Sequence, residues 1–314
     1  MSPLWSGRFS GEPAQELRRL ADSIAFDVRL WPYDIAVTRA HAAGLVEAGL
    51  LTADELLLIE GACDELAGLF ENGEVEIHPD DEDIHSVVER FLTTRLGDTG
   101  ARIHAGRSRN DLVATDMRLW AKEAVVEVAR GVHGVQEALY RLARENDSAI
   151  MPGYTHLQRA QPISVAHHFL AHAFAVARDF ERLISAYRRA DVCPLGAAAF
   201  SGTSLPVNPK ATALRLGFRR TFDNAADAVS SRDFLVEFLS ALAMVAVNLS
   251  RIGEEIVLWT SSEFGFAALD DTYSTGSSIM PQKRNPDPAE LVRAKSARVT
   301  ADLVTLLGVL KGLP

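Results

Sequence analysis

Thr275-Gly276-Ser277-Ser278-Ile279-Met280-Pro281-Gln282-Lys283-Arg284-Asn285-Pro286-Asp287-Pro288-Ala289-Glu290 reads as a loop that turns into a helix. Gly276 leaves the opening pliant, and Pro286 and Pro288 suit a first helical turn. From Ala289 onward Leu291, Val292, Lys295, Val299, Leu303, Leu306 and Leu310 recur near the helical period. Two serines, an amide, a lysine and an arginine therefore stand just ahead of a helix N-terminus. A helix start presents unpaired N–H groups and partial positive charge, which hold anions and stabilise charge that develops in a reaction. Residue types alone fit an ordinary proline-punctuated loop equally well.

Working outward, the helical period dominates the chain. Leu112 to about Arg144 predicts one helix about 50 Å long at 1.5 Å per residue. Ile163–Ala190, Asp233–Ser261 and the segment from Pro286 predict three more, and no strand pairs joined by hairpin turns stand out. Helices of that length suit a bundle. The expected fold is all-α, with long antiparallel helices in a central bundle over residues 111–314. A smaller, irregular and helical N-terminal domain covers 1–110. Within it Asp34–Leu51 reads as helix, and Thr52-Ala53-Asp54-Glu55 as a capping box for a helix ending near Gly73.

The chain has 314 residues, 47% hydrophobic and 24% charged, an ordinary globular balance. A net charge of −10 disfavours nucleic acid and anionic membrane as partners. Cys63 and Cys193 lack metal spacing and read as reduced, packed thiols. The N-terminus carries no signal-peptide pattern. Phe238–Leu249 is read as too short and too polar to span a membrane, so a cytoplasmic chain is expected.

Three further segments carry possible chemistry. Gly100–Asp111 holds Arg102, Arg107 and Arg109 in a pliant loop suited to carboxylate recognition, although a solvated loop has the same composition. Met151–Pro162 places Thr155, His156 and Gln158 between a Pro-Gly turn and a helix-starting proline. His168 and His172 lie i, i+4 on one helix face. Without the Glu of H-E-x-x-H or an evident third ligand, they read as packing residues and no metal is expected. Asp80-Asp81-Glu82-Asp83 reads as acidic complement to a following helix start. The Gly/Ala/Ser-rich stretch 193–208 is assigned no chemistry.

The 275–290 stretch resembles the G-S-S-x-M-P-x-K-x-N-P loop of the fumarase/aspartase superfamily. Its Gln282–Asp287 version is similar to that of the argininosuccinate lyases. Trp5-Ser6-Gly7-Arg8-Phe9, Gly106-Arg107-Ser108-Arg109-Asn110-Asp111 and the Gly153–Pro162 segment resemble the same family's motifs. The resemblance implies β-elimination of argininosuccinate to arginine and fumarate, without a cofactor. It implies a homotetramer whose active sites are each assembled from three subunits. His156, Ser277, Lys283 and Glu290 would be catalytic. Ser23, Ser108, Arg109, Asn110, Thr155, Gln282 and Asn285 would contact substrate. Ser277 as an alkoxide in a closed loop, or His156 oriented by Glu290, would remove the proton, and the sequence leaves that choice open. Lys283, Asn285 and the helix start after Pro286 would stabilise the carbanion. The family also continues past the position of Pro314, into a further helix and small domain bearing residues for the arginine end.

Overall fold

The structure, a computed structural model, describes residues 14–312. The Trp5–Phe9 motif lies outside these. The helices are α1 Gln15–Ala21, α2 Ile24–Asp27, α3 Trp31–Glu47, α4 Ala53–Asn72, α5 Ile84–Leu96, α6 Asp98–Arg102, α7 Arg109–Glu145, α8 Val165–Ala190, α9 Pro209–Arg215, α10 Ala225–Ser230, α11 Asp233–Trp259 and α12 Asp287–Leu310. Strands β1 Ile150–Thr155 and β2 Gln158–Ser164 form an antiparallel pair, and β3 Val192–Cys193 pairs with β4 Arg220–Thr221 in parallel. The fold is all-α apart from these two short ladders.

The chain divides into two compact units. One comprises Met1–Lys122 with Asp191–Ser231, the other Glu123–Ala190 with Arg232–Pro314. A division at 110/111 takes no account of the returning segment Asp191–Ser231. In the first unit α4 starts on the predicted capping box: Thr52 Oγ1 accepts from Glu55 N at 3.2 Å, and Glu55 accepts from Thr52 N at 2.9 Å. It stops at Gly73, where φ is +69°, a conformation glycine adopts without strain. Leu45, Ile59, Leu66, Ile84, Val88 and Leu92 fill the core between α3, α4 and α5. Leu112, Cys193, Leu195 and Phe218 form a second cluster with Val37, which brings the 193–218 stretch onto α3 and α7. Cys63 and Cys193 are free and buried, and burial pushes their thiols up to about 11 and about 12. They are the packed thiols expected.

In the second unit the later part of α7 packs with α8 and α11 around Val125, Val132, Leu139, Leu183, Phe238 and Val245. His168 meets Glu255 near one end of the α8–α11 pair and Arg189 meets Glu237 near the other, so the two run antiparallel. The apolar run Phe238–Leu249 lies within the longer helix α11, which is long and apolar enough to cross a membrane by length and composition only, as core helices of bundles also are. Asn248 on α11 donates to buried Asp179 on α8 at 2.7 Å, a polar tie between bundle helices. Gly253 and Ala289 mark where α11 and α12 touch backbone to backbone: a Cβ on Gly253 would lie 2.7 Å from Ala289 O.

The β1–β2 hairpin corrects the expectation of no strand pairs. Its strands contain Pro152, Gly153 and Pro162, residues that weaken a strand pattern. Its turn is His156-Leu157, with φ of +58° and +54°. Two-residue hairpin turns require positive φ at both positions and ordinarily use Asn-Gly, so this sequence gives no turn signal.

Candidate functional site

In the first unit the candidate residues gather around the acidic turn before α5. Asp83 caps α5 by accepting from Ser86 N at 2.7 Å, the role expected for this cluster. It has a second role that sequence reasoning missed. Arg109 Nη1 donates to Glu82 at 2.9 Å and to Asp83 at 2.8 Å. Ser23 N donates to the Glu82 carbonyl at 2.8 Å, while Ser23 Oγ donates to Asp27, which itself accepts from Ile84 N at 3.1 Å. Ser23 and Arg109, far apart in sequence, thus meet at one turn. Ser108 Oγ accepts from Asn110 N at 3.3 Å, and Asn110 Nδ2 donates to the Ala199 carbonyl at 2.9 Å.

The loop carrying these groups is held from below. Buried Asp111 accepts N–H groups from Ser108 at 2.8 Å, Gly196 at 3.0 Å and Ala198 at 2.8 Å. Burial raises its carboxyl, and those three N–H groups oppose the rise. The 193–208 stretch, assigned no chemistry, is therefore one wall of the loop's support. Arg107 is buried rather than offered to a ligand, and it donates to Thr38 at 3.1 Å. Beneath it lie Asp34, His85 and Asp116, with His85 bonded to Asp34. Asp116 is fully buried and its carboxyl is raised well above the usual range, first by burial and then by Asp34, against the pull of Arg107. Only the fold brings these four ionisable groups together.

In the second unit the 275–290 loop is closed on itself. Thr275 and Asn285 exchange backbone hydrogen bonds of 3.2 and 2.8 Å. Asn285 Nδ2 donates to Thr275 Oγ1 at 3.2 Å, and that hydroxyl donates to Asp287 at 2.6 Å. Inside the ring, Ser277 Oγ receives the N–H groups of Ile279 at 3.3 Å and Met280 at 3.2 Å. Two donors aimed at one oxygen favour negative charge there. Gln282 and Lys283 are exposed at the ring's edge and make no side-chain bond among the described residues.

The start of α12 contributes less than expected. Pro286 and Pro288 have no N–H, and those of Ala289 and Glu290 bond the Pro286 carbonyl at 3.0 and 3.1 Å. Asp287 and Glu290 also place negative charge in the first turn, which opposes the holding of an anion there.

Thr155 and His156 are exposed at the β1–β2 tip, and His156 makes no hydrogen bond among the described residues. The expected His156–Glu290 bond does not form within the chain; Glu290 instead lies 3.9 Å from Arg293. The His156 backbone is held in the left-handed region, at a cost of about 1–2 kcal/mol for a residue bearing Cβ. Below the tip a cleft of ≈ 450 Å³ is lined by Tyr154, Leu157, Gln158, Arg159, Glu263, Phe264 and Phe266, beside His156 without including it.

The class is that of a lyase: the family model described as Lyase matches residues 7–301. Within that class the chain belongs to the argininosuccinate lyase family. It is 52% identical over 311 residues to argininosuccinate lyase of Frankia casuarinae, covering 99% of this chain and 67% of that protein. It is 48% identical over 314 residues to that of Desulforudis audaxviator, covering 100% and 68%. An EDDS lyase crystallised with formate has a TM-score of 0.84 at 31% identity, over 97% of this chain and 61% of that one. A Brucella melitensis fumarate lyase:delta crystallin bound to cobalt shares the fold, with a TM-score of 0.76 at 22% identity, over 96% and 73%. The chain thus spans about two thirds of the length of these relatives.

Proposed function

We propose that this chain performs the elimination chemistry of an argininosuccinate lyase, releasing fumarate and arginine. The observation that carries the reading is Ser277, whose Oγ receives two backbone N–H groups inside a closed ring of a chain about half identical to enzymes of that name. As its alkoxide, Ser277 takes the proton from the carbon beside a substrate carboxylate. The electron pair left behind spreads into that carboxylate, facing Lys283. It then forms the new double bond as the C–N bond breaks, and the leaving nitrogen keeps the bonding pair and takes a proton from His156. Arg109, with Ser108, Asn110 and Ser23, receives a carboxylate, exchanging its internal partners Glu82 and Asp83 for the substrate's. Thr155, Gln282 and Asn285 complete the binding set.

The reading includes a cytoplasmic homotetramer in which three subunits supply each site. Support comes from α12, where Leu291, Val304, Leu307 and Val309 are 50–63% exposed and Ala289 is the buried residue. A helix this apolar on its open face needs covering. Glu290, exposed on α12, then orients His156 of another copy.

A second reading, a lyase releasing fumarate from a different amine, is favoured by the likeness to EDDS lyase. Ultraviolet absorbance of fumarate, followed with argininosuccinate, EDDS and adenylosuccinate in turn, separates the two. Release from argininosuccinate alone is expected, from a tetramer by light scattering. Ser277→Ala lowers it by at least about 10²-fold with helicity unchanged. Retained turnover in that variant removes Ser277 as base.

A further inference from the structure

The fold completes one cluster of metal-ligating side chains that the elimination does not use. His168 and His172 lie one turn apart on α8, and α11 supplies a third group, Glu255, that spacing along the sequence could not reveal. His168 Nε2 is 2.6 Å and His172 Nε2 2.7 Å from the same Glu255 Oε2. The two rings stand 5.3 Å apart and 69° out of plane, so their nitrogens reach one point from different directions. The side chains are 23%, 11% and 34% exposed, recessed but open to an arriving ion. Trp259, 4.8 Å from the His168 ring, walls the cluster on one side.

We infer that His168, His172 and Glu255 form a binding site for a divalent transition-metal ion of the zinc class, with water completing its coordination. Two imidazole nitrogens and one carboxylate are the ligand types such ions take, whereas calcium and magnesium favour all-oxygen sets. An ion about 2.1 Å from each atom in tetrahedral geometry requires each nitrogen and the oxygen to part by roughly 0.8 Å, within reach of the flexible Glu255 side chain. The other converging set, Asp34, His85 and Asp116, is a poorer host. It is fully enclosed, and Arg107 already supplies positive charge.

The ion's role would be structural. His168 lies in the first turns of α8, directly after β2. Ring contacts run from His168 to Trp259, then to Phe266 at 6.1 Å and Tyr154 at 6.2 Å in β1. An ion at the cluster therefore braces, through these rings, Tyr154 beside the hairpin tip that carries Thr155 and His156.

Calorimetric titration of the chelator-stripped full chain with zinc chloride tests the site. One ion per chain is expected, with a melting temperature that rises with zinc concentration. Cobalt substituted at the site should give the visible absorption of a low-coordinate ion. Glu255→Gln, nearly isosteric, and His172→Ala each weaken zinc binding at least about tenfold while circular dichroism stays unchanged. His167→Ala, on an exposed neighbour, leaves binding as it was. No binding at millimolar zinc overturns the assignment, as does equal binding by the parent, Glu255→Gln and His172→Ala.

Discussion

The candidate residues of the two units differ in what already touches them. In the first, Ser23, Ser108, Arg109 and Asn110 all have partners: Asp27, the Asn110 N–H, Glu82 with Asp83, and the Ala199 carbonyl. In the second, Thr155, His156, Gln282 and Lys283 are exposed without side-chain bonds among the described residues, while Ser277 and Asn285 bond only within their own loop. The first set is held by internal bonds, so under the proposed function a ligand enters by exchange with internal carboxylates. The second is placed by backbone geometry alone, and under the same proposal it is completed by another copy. Changes that cut the first set's internal bonds should therefore register in stability as well as activity, and changes in the second in activity alone.

The sharpest break of this contrast is Asp111→Ala. It strands three N–H groups in a buried place, each worth about 1–3 kcal/mol, and should cost on the order of 3–5 kcal/mol in urea unfolding. A loss below about 1 kcal/mol would mean that the 106–111 loop is not held by this carboxylate. Gly253→Ala comes next. Its Cβ would meet Ala289 O at 2.7 Å, so α11 and α12 must part. About 1–3 kcal/mol is expected, read by the same unfolding curve, and no change would mean that the contact yields freely.

Legibility in the sequence followed the range of the interactions. The Thr52–Glu55 box, the Gly73 stop and the start of α12 beside Pro286 rest on residues within one turn of each other, and all lie where the pattern put them. The 275–290 loop could be read for the same reason. What escaped was built across the fold. Glu255 reaches the two histidines from 83 and 87 residues away, and Arg109 reaches Glu82 from 27. The hairpin escaped because backbone pairing overrode residues with poor strand propensity and a turn without glycine. Asp111 was quoted as part of a motif, yet its use as a post for Gly196 and Ala198 depends on a segment more than eighty residues downstream.

A pH series sharpens the picture of the first unit. His41 is 4% exposed and its Nε2 lies 2.9 Å from the Ala105 carbonyl. Burial, then Arg107, push it down to about 3, against the pull of the Ala105 bond. It stays neutral in the fold where an unfolded histidine takes a proton near 6.5. Its contribution is whole above that pH and falls toward 3, by about 1.4 kcal/mol per pH unit. His41→Gln destabilises the chain at pH 7.5, and the gap to the parent should narrow at pH 5.5. A gap independent of pH would mean that His41 is reached by solvent.

The smallest effect tests whether the exposed tip is strained for a purpose. Leu157 has φ +54° and is 67% exposed, so its side chain contributes little packing to the isolated chain while its backbone carries the left-handed penalty. Leu157→Gly removes that penalty and loosens the unfolded chain, and the balance should be a gain of up to about 1 kcal/mol. Such a gain in dilute, monomeric protein, lost or reversed once copies associate, would mean that the tip's leucine is kept for a surface the single chain does not supply. A loss already in the monomer would put the leucine in the cleft beside Phe264 and Phe266, and the hairpin would then be a finished element like the loop around Arg109.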